Sequence, residues 1–330
     1  YETFNLIVRR KSIENNLKAV LTCIRDVLNK KVTMPDWLHD VFLGYGDASA
    51  AHWKSIAERV DTLDFKDTFL SADHLKKAFP NGKVVVKKGA EPPFKLTFSE
   101  DKAGKEIVTA NSYVMPNMGP YPRNVPKKNP IPFTPTQTEA IRSGLNHGLT
   151  MVVGPPGTGK TDVAVQIVSN LYHSFPEQRT LIITHANSAL NDIFEKIMVR
   201  DVDERYLLRL GHGAKDLATE SEITVRGRVD YMLGRRLARL EEVQKLGNVL
   251  GMSADVGYTC ETAGHFKLYH IESRWETYQQ QLRNPAEAVS EKVEELFPFT
   301  AFFADAPQPL FSGDREADLE VASGCYRYIE

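Results

Sequence analysis

Leu149-Thr150-Met151-Val152-Val153-Gly154-Pro155-Pro156-Gly157-Thr158-Gly159-Lys160-Thr161 fits the pattern G-x-x-x-x-G-K-[ST] at Gly154, Gly159, Lys160 and Thr161. Its context is the one the pattern requires, with an apolar β-branched run before it and a helical pattern after it. Gly157 and Gly159 can take backbone angles that a Cβ would forbid, so successive N–H groups can turn inward around phosphate oxygens. The helix that begins near Thr161 aims its positive end at the same place. Lys160 suits the β- and γ-phosphates, and the Thr161 hydroxyl suits Mg²⁺. The stretch predicts a nucleoside-triphosphate site between a strand and a helix.

Downstream, Val163, Ile167, Val168 and Leu171 face one side of a helix over 162–172, and Thr180-Leu181-Ile182-Ile183-Thr184 reads as a second buried strand. That βαβ order predicts a parallel sheet with a right-handed crossover and ligands at the carboxyl ends of its strands. Thr184, His185, Asn187 and Asn191 lie at such an end, leading into a helix over 190–198. They suit phosphate and ribose oxygens, or equally a polar cap for that helix. A third strand is expected over 205–210, then a long helix over 229–250 and a second over 262–282. Val229, Leu233, Leu237, Leu240, Val243 and Leu246 form the stripe on which the second helix packs as a hairpin. Arg226, Arg228, Arg235, Arg236 and Arg239 make its first half basic. The segment over 297–311 reads as an aromatic, Pro-rich return loop, and a last helix begins near Asp318.

Upstream, Thr134-Pro135-Thr136-Gln137 opens a helix with a capping box. A glutamine just before such a strand can also read adenine, because its amide carries a donor and an acceptor; spacing alone favours the cap. Residues 114–132 hold six prolines and are expected to be an extended linker, with Tyr121 and Arg123 packed on a neighbour rather than stacked on a base. The first third reads as a strand over 1–8, an amphipathic helix over 17–28, a short helix over 37–43, a helix capped by Ser71, and strands over 83–88 and 94–98 joined through Pro92-Pro93.

The 330 residues suggest about two domains. A net charge of −2 excludes a global basic field, although residues 284–330 carry ten acidic side chains against three basic ones. The three cysteines form no C-x-x-C pair, which argues against a structural metal and suits a reducing compartment. Apolar stretches stay short of the roughly 18 residues of a membrane span. The chain opens at Tyr1 and closes inside an expected helix, so it reads as an internal piece of a longer protein.

Phe133-Thr134-Pro135-Thr136-Gln137, the glycine loop, and Leu181-Ile182-Ile183-Thr184-His185-Ala186-Asn187 together resemble superfamily 1 RNA helicases of the nonsense-mediated-decay helicase group. Pro35-Asp36-Trp37-Leu38-His39-Asp40, Leu208-Arg209-Leu210-Gly211-His212-Gly213 and Tyr258-Thr259-Cys260-Glu261-Thr262-Ala263-Gly264 look like the intron-binding spliceosomal branch of that group. The resemblance implies an α/β fold: a P-loop RecA-like parallel sheet (an incomplete first lobe) with a helical-hairpin insertion, preceded by part of an α+β accessory domain. The implied division is accessory domain 1–113, linker 114–132, first lobe 133–222, hairpin 223–284 and return segment 285–330. It reverses the order for Gln137, now an adenine contact. Gly154, Pro156, Gly157, Thr158, Gly159, Lys160, Thr161 and Asp162 would hold ATP, with Mg²⁺ on Thr161, and Lys160 and Thr161 would act in hydrolysis. Thr184, His185, Asn187 and Asn191 would lie along RNA.

The implied activity is RNA-stimulated ATP hydrolysis in pre-mRNA splicing, in the nucleus, with single-stranded intron RNA and spliceosomal proteins as partners and neither membrane nor structural metal. The family's second polar residue upstream of Gln137 is replaced by Pro130-Ile131-Pro132. No apolar strand ends in Asp-Glu after the glycine loop, and no second lobe follows, so the chain by itself is expected not to turn over ATP. Two rival readings are a nucleotide-binding spliceosomal scaffold with little turnover and a ring-forming ATPase. The Thr184-His185-Ala186-Asn187 segment and the hairpin argue against the ring.

Overall fold

The computed structural model describes residues 16–29, 35, 37–38, 41, 44, 46–65, 67–210, 225–252, 254–283 and 292–330; the strand expected over 1–8 lies outside them. The chain divides into two compact units, Tyr1–Val60 with Asn146–Met151, and Asp61–Leu145 with Val152–Glu330.

In the first unit, α1 (Asn16–Asn29) forms where the apolar period predicts it. The short helix expected over 37–43 is described only at Trp37, Leu38 and Val41, all helical. Asp47 caps a 3₁₀ turn, Ala48–Ala51, by accepting from the Ser49 N–H at 2.9 Å. The Leu149 N–H donates to the Ala51 carbonyl at 2.9 Å. Gly148 makes that approach possible. Its φ is +134°, and a Cβ there would sit 2.7 Å from the Ala51 oxygen.

The second unit opens with a four-stranded sheet of β1 (Thr62–Leu63), β2 (Lys83–Val86), β3 (Phe94–Glu100) and β4 (Glu106–Ser112), in the order β1-β3-β4-β2. The sequence predicts β2 and β3 as consecutive strands; the structure puts β4 between them, parallel to β2 and antiparallel to β3. Phe94, Leu96, Val108 and Ala110 are fully buried and pack under α2 (Ala72–Ala78) with Phe65, Phe69 and Leu75. Ser71 caps α2 through the His74 N–H at 3.1 Å, as the sequence predicts.

Three helices follow, α3 (Pro135–Leu145), α4 (Lys160–Ser174) and α5 (Asn187–Met198). Polar contacts hold two of them to the small sheet. Arg142 of α3 forms a two-pronged ion pair with Glu106 of β4, one prong at 2.9 Å, and its guanidinium lies 4.1 Å from the Phe98 ring centre. Asp67 stands at the centre of a buried network. One carboxylate oxygen accepts from Gln166 Nε2 of α4 and the other from the Asn129 N–H, both at 2.8 Å. Asn129 Oδ1 accepts from Arg200 at 2.5 Å, and Thr68 and Asn170 bond to each other and to Gln166. Burial lowers the Arg200 pKa, opposed by the negative charges of Asp67 and Asp162.

The helical region comprises α6 (Val225–Val249), α7 (Cys260–Phe266), a π-helical stretch Lys267–Glu272, α8 (Ser273–Arg283), α9 (Lys292–Leu296) and α10 (Arg315–Ile329). The predicted hairpin packing holds for its lower half alone. Leu246 is buried with Val256, Phe266, Ile271 and Tyr278, whereas Val229, Leu233 and Leu237 stay more than half exposed. A helix of 25 residues runs about 37 Å and overshoots the elements it packs on. The core forms instead around Phe297, Phe299, Phe302, Phe303 and Phe311, from the segment the sequence reads as a return loop. The Pro-rich segment straps onto this region. Tyr121 donates to Asp305 at 2.8 Å, and the Arg123 guanidinium lies 4.8 Å from the Tyr121 ring and 5.7 Å from that of Tyr328.

The strands predicted over 149–153, 180–184 and 205–210 are not paired in any ladder among the described residues. Val153, Leu181 and Ile183 are 87%, 82% and 81% exposed. A parallel strand takes its hydrogen bonds from neighbours on either side, and the described residues supply none.

Two outcomes follow from this packing. Asp67→Ala strips acceptors from Gln166 and Asn129, so it should lower stability by about 2–4 kcal/mol, read as a shifted urea midpoint, with Asp67→Asn less damaging. Burial pushes the fully buried Cys325 thiol up to about 12, while Cys23 and Cys260 are exposed. A thiol reagent at pH 8 should therefore modify two cysteines in the folded protein and the third only after denaturation.

Candidate nucleotide and phosphate site

The glycine loop has the backbone its sequence requires. Gly157 and Gly159 adopt φ of +81° and +74°, and Gly159 is the residue before α4, with no side chain capping that helix. The first-turn N–H groups of α4 therefore face the loop unclaimed by a cap. A Cβ on Gly154 would lie 2.7 Å from Thr158 Oγ1, and one on Gly159 would lie 2.9 Å from Gln137 Nε2. Close approach fixes both glycines, and Gly159 is fixed by its backbone angle as well. Pro156 is exposed at the turn.

Lys160 folds over this loop, donating from Nζ to the Gly154 and Pro155 carbonyls at 2.6 and 2.7 Å. Thr158 Oγ1 donates to the Pro155 carbonyl at 2.8 Å. These carbonyls are neutral acceptors, and a phosphate oxygen is a stronger partner for the same ammonium. Thr161 is half-buried one residue into the helix, and Asp162 pairs with Lys196 of α5 at 2.9 Å. That ion pair ties the first turn of α4 to α5.

Gln137 forms the predicted cap and also reaches the glycine loop. Its Oε1 accepts from the Thr134 N–H at 2.8 Å while its own N–H donates to Thr134 Oγ1 at 3.3 Å, which is the capping box. Its Nε2 donates to the Thr158 carbonyl at 3.1 Å. One side chain thus links the start of α3 to the glycine loop.

The second cluster gathers at the start of α5. Thr184 Oγ1 donates to the Ala186 carbonyl at 2.9 Å, and His185 is exposed. Ala186 precedes the helix and offers no side-chain cap. Asn187 and Asn191 present their Oδ1 atoms to Arg209, at 3.0 Å from Nη2 and 3.2 Å from Nε, and Arg209 Nη1 also donates to the Leu210 carbonyl. Arg209 is 2% exposed and Asn191 8%. Sequence reasoning passed over Arg209 as one residue of a strand. In the folded chain Leu208 and Leu210 face out and Leu207 and Arg209 face in, and no short-range pattern in the sequence marks Arg209.

Lys160 on the loop, the two left-handed glycines and the Thr161 hydroxyl fit a nucleotide's phosphates with an associated divalent cation. Among the described residues no group of three or more histidines, cysteines or carboxylates could hold a metal by itself, and no helix is long and apolar enough to cross a membrane.

Known proteins give this geometry a context. Residues 132–297 match the AAA domain, and residues 58–111, which carry the four-stranded sheet, match the intron-binding protein aquarius insert domain. The whole chain is 53% identical to mouse RNA helicase aquarius and 22% identical over 99% of its length to pre-mRNA-splicing factor cwf11 of Schizosaccharomyces pombe. It spans about a quarter (24%) of the length of each. Regulator of nonsense transcripts 1 of Caenorhabditis elegans is 27% identical over 37% of the chain. With a glycine loop, a lysine and a helix start arranged for phosphates inside the matched segment, the chain belongs to the AAA-domain family, with a P-loop helicase fold and an aquarius-type insert domain before it.

Proposed function

We propose that the full-length protein is an ATP-dependent RNA helicase, an RNA-stimulated ATPase of pre-mRNA splicing that binds single-stranded intron RNA among spliceosomal proteins in the nucleus. The observation that carries the reading is the loop in which Lys160 bonds to the Gly154 and Pro155 carbonyls at the mouth of α4. The similarity to an RNA helicase and a splicing factor over the whole chain supports the choice of substrate and setting. The extended segments over 149–153 and 180–184 would join a RecA-like parallel sheet, with the hairpin over 223–284 inserted in that first lobe. The accessory domain over 1–113, the linker over 114–132 and the return segment over 285–330 complete the division.

In this reading Lys160 exchanges its two carbonyl partners for the β- and γ-phosphates of ATP, and Gly154, Pro156, Gly157, Thr158 and Gly159 form the cradle around them. Thr161 would offer its hydroxyl to Mg²⁺, an ion that would supply charge neutralisation at the phosphates. Asp162, fixed by Lys196, keeps the first turn of α4 in register. Gln137 reads adenine with the amide that also touches Thr158, so base recognition is mechanically joined to the phosphate loop. Thr184, His185 and Asn187 lie along the RNA backbone at the start of α5, where helix-end N–H groups favour phosphate; Asn191 acts there from beneath.

Hydrolysis also needs a carboxylate and transition-state arginines. The chain's one Asp-Glu pair, Asp203-Glu204, is engaged elsewhere, Asp203 with Arg205 at 2.8 Å and Glu204 with the Tyr231 hydroxyl at 3.5 Å. The isolated 330 residues are therefore expected to bind ATP and not to turn it over.

The test is ATP hydrolysis by the full-length protein with and without single-stranded RNA, beside Lys160→Ala. RNA should stimulate the wild type, and the variant should lose about 10²-fold or more in turnover. ATP binding without turnover in either protein would support a scaffold instead. Gln137→Ala should reduce the preference for ATP over GTP by about tenfold, measured as a ratio of kcat/KM values.

A further inference from the structure

We infer that Arg209 is a positioning residue for RNA, holding the Thr184–Asn191 segment in its binding shape without touching the nucleic acid itself; this rests on the RNA reading of that segment. The first turn of α5 lacks the usual means of fixing a helix start, because Ala186 precedes it with no side-chain acceptor. Asn187 and Asn191 stand one turn apart on a single face of α5. The rigid fork of Arg209 reaches both, through Nη2 and Nε, and its remaining nitrogen bonds to the Leu210 carbonyl. At 2% exposure the guanidinium is beyond direct reach of a phosphate. Thr184 closes the turn from the other side through the Ala186 carbonyl. Between these two restraints residues 185–189 are exposed, His185 among them, beside the first-turn N–H groups of α5.

A lysine cannot replace this arrangement. Its single ammonium is a point charge without the planar fork that meets two amide oxygens and a carbonyl at once. Charge-based attraction and positioning therefore predict opposite behaviour for Arg209→Lys.

The experiment is fluorescence anisotropy of a labelled single-stranded oligoribonucleotide on the full-length protein, with affinity for a fluorescent ATP analogue measured in parallel. Arg209→Met is expected to weaken RNA binding about tenfold or more and to leave nucleotide affinity within about twofold. Arg209→Lys is expected to be as weak as Arg209→Met. Restoration by lysine, unchanged RNA affinity in Arg209→Met, or equal loss of nucleotide and RNA binding would each overturn the proposal. Should Arg209→Met fail to fold, Asn191→Ala removes one end of the fork and is expected to weaken RNA selectively; normal RNA binding there counts against positioning. Where both fold, their combination should lose little more than either alone. His185→Ala separates the two levels of the argument. A loss in His185→Ala with none in Arg209→Met defeats positioning and leaves the RNA reading standing, whereas wild type that binds no RNA defeats both.

Discussion

A carboxylate taken out of water must find enough donors to replace its hydration, and Asp67 does so by gripping three separate parts of the chain. Gln166 lies on the helix that carries Lys160 and Thr161, Asn129 lies in the Pro-rich segment, and Arg200 follows α5 and reaches the carboxylate through Asn129. The segment after β1 is thereby fastened to α4 by polar contacts with fixed geometry, where a purely apolar interface would tolerate sliding. Arg142 repeats the arrangement on α3, pairing with Glu106 while its guanidinium lies over Phe98. Both helices that frame the glycine loop are thus oriented by the small sheet and the segment that follows β1.

Gln137 shows how few atoms connect the start of α3 to the glycine loop. Its backbone and Oε1 close the capping box of α3, and its Nε2 holds the loop at Thr158. One amide joins the two, its oxygen accepting at the helix start and its nitrogen donating to the loop, so a displacement at either end is felt at the other. Asp162 and Lys196 extend that chain of contacts to α5, where the Arg209 fork begins.

Local chemistry was the legible part of the sequence. The glycine loop, the Thr134–Gln137 capping box, the Ser71 cap and the helices after each strand-like run follow from residue types at short spacing, and the structure reproduces them. What depends on distant partners was not legible. β4 alternates buried Val108 and Ala110 with Thr109 and Asn111, but its place between β2 and β3 is set by pairing with strands that no local pattern names. The phenylalanines over 297–311 read as a loop since no period organises them, and they became a core because α6, α8 and α10 converge there. Arg209 sat in an apolar run whose inward face was expected to be hydrocarbon. Its burial makes sense only with Asn187 and Asn191 as neighbours, some twenty residues away.

The exposed segments Met151-Val152-Val153 and Thr180-Leu181-Ile182-Ile183-Thr184 have a consequence for handling this polypeptide. Each is uncharged and rich in β-branched residues, and although Ile182 packs on a buried cluster, the main-chain donors and acceptors are unclaimed by any ladder among the described residues. Such edges template the addition of like strands, and short windows of this composition form tightly interdigitated stacks when many copies meet. In a concentrated solution of the isolated chain, colloidal behaviour would be governed by these eight residues more than by its well-packed aromatic core.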